Sequence, residues 1–99
     1  MQLLVVIVNY RTPELAVGCV RSLEQGIREY PASKVVVPDN ASGDGSPEII
    51  GRAIEQSGFG DWASLLALPR NGGFSYGNNR GMEQALASGE PPRYVWLLN

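Results

Sequence analysis

The chain is 99 residues long, 43 % apolar and 18 % charged, with a formal net charge of −2. That is one domain's length, folding to bury only about 60–65 % of the unfolded chain's surface, with no basic field for nucleic acid or an anionic membrane surface. It has no histidine, which excludes Ser–His and Cys–His nucleophile pairs, His metal ligands and imidazole acid–base chemistry, and one cysteine, Cys19, which excludes an internal disulfide and is compatible with a reducing compartment.

Residues 3–8 are an unbroken aliphatic, β-branched run, the pattern of a strand covered on both faces. No basic residue precedes the run, and it is too short for a signal-peptide core or a membrane span. Thr12-Pro13-Glu14 then predicts a helix start, with Thr12 as the cap, Pro13 in the first turn and Glu14 at the positive helix end. Leu15, Cys19, Val20, Leu23 and Ile27 recur at helical spacing to about residue 29. Cys19 lies on that face and reads as a core residue rather than a reactive thiol. Residues 34–37 predict a second strand, 38–46 a loop, and Ser46-Pro47-Glu48 a second helix to about residue 56, buried along Ile49, Ile50, Ala53 and Ile54. A third strand follows at 63–68, then a third helix over roughly 74–87 with Asn78, Met82, Ala85 and Leu86 inward, and a fourth strand at 93–98. Repeated βα units imply a mainly parallel sheet with right-handed crossovers and helices on both faces. In such sheets ligands bind outside the carboxyl ends of the strands.

Those ends are Asn9-Tyr10-Arg11, Asp39-Asn40-Ala41-Ser42 and Arg70-Asn71-Gly72-Gly73. The first has no glycine, so it is neither a dinucleotide-binding turn nor a P-loop, and no carboxylate pair for a phosphoacceptor site. Tyr10 offers a ring and hydroxyl suited to lining a nucleobase pocket, or equally to packing on the loop. Asp39 directly follows its strand, where a carboxylate aimed at the ligand edge accepts from the imide N–H of uracil or thymine. Taken alone, the same loop reads more strongly as a turn, with Asp and Asn bonding their own backbone and Gly43 and Gly45 permitting positive φ. It is not an EF-hand loop: its third residue is Ala41, its sixth Asp44 and its twelfth Ile50. In the third segment Gly72 and Gly73 open a helix, whose free N–H groups favour an anion. Asn78 and Asn79 are poor helix formers, and at least one of them is structural. Gly77 and Gly81 each cost about 1 kcal/mol relative to Ala, which implies close packing or close ligand approach.

In order, VVIVNYR, VPDNASGDGS, NGGFSYGNNRGMEQAL and YVWLLN resemble glycosyltransferase family 2 over essentially the whole chain, closest to its rhamnosyltransferase-like members with a GT-A fold. The resemblance implies a three-layer α/β/α architecture with strand order 3-2-1-4, the Rossmann-like nucleotide-sugar-binding part of a GT-A enzyme. Such enzymes transfer a sugar with inversion, here from a UDP- or dTDP-sugar to a saccharide or lipid-linked acceptor. By the family pattern Asn9 and Tyr10 line the base pocket, Asp39 contacts the pyrimidine with Asn40 beside it, and Asn79 with Arg80 lies near the base, ribose or diphosphate. Gly72 and Gly73 join them as the anion-favouring helix start. Pro38 departs from the family's aliphatic residue before the Asp; it lacks a ladder donor, which a strand end tolerates.

Relatives continue LLN into a Pro-Asp segment of the DxD type, whose carboxylate holds Mg²⁺ or Mn²⁺ on the diphosphate. The metal ligand and the acceptor-activating base are therefore expected outside this chain, which is expected to bind donor weakly and not to turn over. The same reading expects a cytoplasmic protein, peripheral at the inner membrane face. The rival is a non-catalytic α/β nucleotide-binding or regulatory module complete at 99 residues, against which an ending on an uncapped apolar strand weighs. Strand 94–98 is internal in the family topology, so its unpaired side is expected to drive self-association.

Overall fold

The computed structural model describes residues 1–98; Asn99, the last residue of the YVWLLN run, lies outside the described residues. In chain order the elements are β1 (Leu3–Val6), α1 (Pro13–Ser22), α2 (Glu24–Glu29), β2 (Ser33–Asp39), α3 (Ser46–Gln56), β3 (Ala63–Ala67), α4 (Phe74–Ala87) and β4 (Tyr94–Leu97). The four strands form one sheet in the order β3-β2-β1-β4. Every pairing is parallel, with Val5 opposite both Val35 and Trp96. This is the expected α/β/α architecture with the expected strand order.

Period-two alternation divides the sheet's side chains between two cores. Val5, Ile7, Val35 and Val37 face α1, α2 and α3, where Ala16, Val20, Ile27, Ile50 and Ile54 close the larger core. Leu4, Val6 and Val36 face α4, where Ala85 closes a smaller one. Gly77 and Gly81 explain why α4 sits so close to the sheet. A Cβ on Gly77 would stand 2.9 Å from Val8 Cγ1, and one on Gly81 3.2 Å from both Val6 Cγ1 and Pro38 Cγ. Close packing is thus the reason for these helix glycines.

Several expectations needed correction. The first helix divides at Leu23, where the Leu23 N–H reaches back to the Val20 carbonyl and the Ser22 hydroxyl donates to the Cys19 carbonyl; such local bonds compete with the regular ladder. Leu15, Ile49 and Leu86, expected inward, are exposed. The inner faces run instead through Pro13, Ala16 and Val20, through Ile50 and Ile54, and through Gly77, Asn78, Gly81 and Ala85. Thr12 and Ser46 precede or open helices but neither caps by its side chain. Strand β2 continues through Pro38, whose carbonyl accepts from the Asn9 N–H at 2.8 Å. As expected from the strand order, β4 lies at the sheet's edge, with Tyr94, Val95, Trp96 and Leu97 all exposed.

Candidate functional site

The carboxyl edge of the sheet gathers three loops, after β1, β2 and β3. The first two are joined by a buried knot. Asp39, 1 % exposed, accepts from Asn9 Nδ2 at 2.8 Å and from the Ser42 hydroxyl at 2.6 Å on one oxygen, and from the Ser42 N–H at 3.1 Å on the other. Asn9, also 1 % exposed, accepts in turn from the Thr12 hydroxyl at 3.1 Å. Ser42 oxygens take the Arg11 N–H at 2.9 Å and Arg11 Nε at 3.0 Å. Two non-glycine residues, Arg11 (φ 59°) and Ala41 (φ 54°), are left-handed here. Each such residue costs roughly 1–2 kcal/mol, and the knot's bonds offset that strain.

The knot changes how the expected residues are used. Asn9, expected to line a base pocket, is buried with both ends of its amide engaged within the protein. The Asp39 carboxylate is turned inward rather than out at the ligand edge; one of its oxygens takes two donors and the other only one. Tyr10 is half-exposed, with the Arg11 guanidinium 5.1 Å from its ring centroid. Beside the knot lies a cavity of about 590 Å³ lined by Asp39, Ala41, Ser42, Gly43, Pro47 and Leu68 among others. Asp44, in the same loop, accepts from the Ser46 hydroxyl at 2.5 Å and N–H at 3.0 Å. That hydroxyl bond chiefly holds its carboxyl below the ordinary Asp range, helped by the charge of Arg11.

The third loop leads into α4. Asn71 Oδ1 accepts from the Gly73 N–H at 2.9 Å, and Gly73 turns the chain with φ 93°. Asn40, 2 % exposed, donates from Nδ2 to the Gly73 carbonyl at 2.9 Å, so it ties the second loop to the third. No side chain caps α4, and its first turn carries no acidic residue, which leaves the positive helix end to other partners. Asn78 is the structural asparagine: it is buried and donates to the Phe74 carbonyl at 3.2 Å. Asn79 is exposed, and Arg80 is half-buried and bonded to Glu83. Ser42 and Arg11 were missed as parts of this arrangement. Ser42 stands three residues beyond Asp39, the spacing at which a hydroxyl and N–H return to a carboxylate; nothing in the sequence marks Arg11 as left-handed.

The described residues do not fit a divalent-metal site. Among them no three His, Cys, Asp or Glu side chains come together, and Asp39 and Asp44 are already engaged by Asn9, Ser42 and Ser46.

Cys19 is partly buried and packs against the larger core, and burial raises its pKa. Among the described residues no helix is long and apolar enough to cross a membrane.

Comparison with known proteins bears on both fold and family. The mannosyltransferase PcManGT from Pyrobaculum calidifontis, solved in complex with GDP-Man and Mn²⁺, matches 85 % of this chain with a TM-score of 0.60 at 22 % identity. The chain spans 24 % of that protein's length. The likeness shows the fold, the Rossmann-like arrangement expected for a GT-A domain. No curated protein matches the chain. The family model for glycosyl transferase family 2 matches residues 4–99, and the chain therefore belongs to that family.

Proposed function

We propose that the carboxyl edge of this sheet binds the nucleoside-diphosphate sugar of an inverting glycosyltransferase, and that the enzyme is a rhamnosyltransferase using a UDP- or dTDP-sugar. The observation that carries the reading is the Asn9–Asp39–Ser42 knot, which joins the loop carrying the half-exposed Tyr10 to the loop that lines a cavity. Family membership supports it, as does a similarly folded protein solved with GDP-Man. Tyr10 presents its ring to the base. The less engaged oxygen of Asp39 keeps acceptor capacity for an imide N–H at the cavity wall. Asn40 holds the Gly72–Gly73 turn in place, and Asn79 and Arg80 face the ribose and diphosphate from α4. The rhamnosyl assignment rests on the motif run alone.

Inverting transfer also needs a base at the acceptor hydroxyl and a counter-charge for the departing diphosphate. The described residues bring together no carboxylate cluster to hold a metal, and we assign this chain donor recognition without turnover. Calorimetric titration with UDP, dTDP and GDP tests the binding. UDP or dTDP should bind more tightly than GDP, and Tyr10→Ala should weaken that binding about tenfold, the scale of a lost base–aromatic stack. Incubation with labelled donors, Mn²⁺ and saccharide acceptors should give no transfer. Failure of both UDP and dTDP to bind, or binding of GDP alone, would contradict the proposal.

A further inference from the structure

We infer that Arg70, Tyr76 and Arg80 form a clamp for the phosphates of the bound nucleotide, an assignment that rests on the donor reading above and adds Arg70 and Tyr76 to it. Both guanidinium groups converge on one ring. The Arg70 guanidinium carbon lies 4.3 Å and that of Arg80 5.2 Å from the Tyr76 centroid. The ring is seated by Gly72: a Cβ there would stand 2.4 Å from Tyr76 Cγ. Only glycine lets the loop backbone lie against the ring, so loop and helix fix it together.

Two like charges held over one ring repel, and attraction to a ring face neutralises neither. The nearby carboxylate, Glu83, bonds a terminal nitrogen of Arg80, which leaves two guanidiniums against one carboxylate in a chain of net charge −2. Arg80 Nε is buried without a partner. Arg70 is exposed and, among the described residues, makes no hydrogen bond or ion pair. Planar guanidinium forks match phosphate oxygens in pairs. The cluster stands at the start of α4, whose first-turn N–H groups have no side-chain cap, and beside the Gly73 carbonyl that Asn40 fixes. A diphosphate at this point removes the repulsion and meets both guanidinium groups and the N–H groups of the α4 first turn.

The test separates phosphate from base. The chain and its Arg70→Ala, Tyr76→Phe and Tyr76→Leu variants are titrated with UDP, dTDP and GDP, with the matching nucleosides, and with inorganic pyrophosphate as competitor. Circular dichroism checks that each variant is folded. Arg70→Ala should lower affinity for the nucleoside diphosphate, and for competing pyrophosphate, by about tenfold, the loss of a charge-assisted bidentate contact. Nucleoside affinity should not move. Tyr76→Phe should behave as wild type and Tyr76→Leu as Arg70→Ala. An equal loss for nucleoside and diphosphate, or no loss at all, would overturn the clamp while leaving donor binding intact. If the wild-type chain binds no nucleotide, the donor reading falls and the clamp with it.

Discussion

Replacing Asp39 by alanine tests the knot more severely than any other single change. The carboxylate is 1 % exposed and accepts three hydrogen bonds, from Asn9 Nδ2, the Ser42 hydroxyl and the Ser42 N–H. Bonds to a charged group contribute roughly 1.5–3 kcal/mol each, but removing the charge also removes its desolvation cost. Both donors of Ser42 and the Asn9 amide would be left in a buried space without an acceptor. The expected net loss is about 2–4 kcal/mol, between the gross bond total and that offset. For a domain of this size each kcal/mol moves Tm by roughly 4–8 °C, so the midpoint should fall by roughly 10–30 °C. Asp39→Asn should fall about half as far, because an amide keeps one acceptor and the shape but turns a donor toward Asn9 or Ser42. Thermal melts followed by far-ultraviolet circular dichroism measure both. A Tm for Asp39→Ala within about 2 °C of wild type would refute the reasoning, since the loops would then not depend on this carboxylate.

Glycine substitutions should divide by geometry. Gly77→Ala regains about 1 kcal/mol of helix propensity but forces a Cβ to 2.9 Å from Val8 Cγ1, an overpacking that costs about 1–3 kcal/mol, so urea denaturation should show a net loss. Gly18→Ala, whose Cβ meets nothing within 4 Å, should instead stabilise by about 0.4–1 kcal/mol. The exposed apolar edge of β4 should make the chain self-associate, and Trp96→Glu, placing a charge on a residue 48 % exposed, should return it to monomer in light scattering across a dilution series. Asp44 should titrate below the ordinary Asp range. Its stabilising contribution is therefore present at neutral pH and fades as pH falls through the folded value; Ser46→Ala should move the NMR midpoint back up.

How much of this was legible in the sequence follows from physics residue by residue. The strand runs, the Pro-Glu helix starts and the glycine breaks carry local signals, so the alternation of strands and helices and α4 could be read directly, while the division of the first helix at Leu23 could not. Leu15, Ile49 and Leu86 could not be placed, because one helical turn offers two candidate faces and docking against the sheet chooses between them. At Gly77 and Gly81 the mismatch with helix propensity was visible, but its cause, contact with Val8, Val6 and Pro38, joins segments distant in sequence. The loops at the carboxyl edge were identifiable as the unusual segments. The inward turn of Asp39 was not, since it depends on Asn9, 30 positions earlier, meeting the carboxylate in space. Arg70 and Arg80 share a ring only because Gly72 folds the loop onto Tyr76, which residue type alone does not show.

The central claim is that the three loops at the carboxyl edge hold a nucleotide. An NMR titration of the isotopically labelled chain with UDP, dTDP and GDP tests it most directly. The account predicts saturable shifts for one nucleotide, confined to Tyr10 and Arg11, to residues 39–45 and to residues 70–80. Shifts centred on the opposite edge of the sheet, around Met1, Lys34 and Asp61, or no saturable shifts with any of the three, would contradict it.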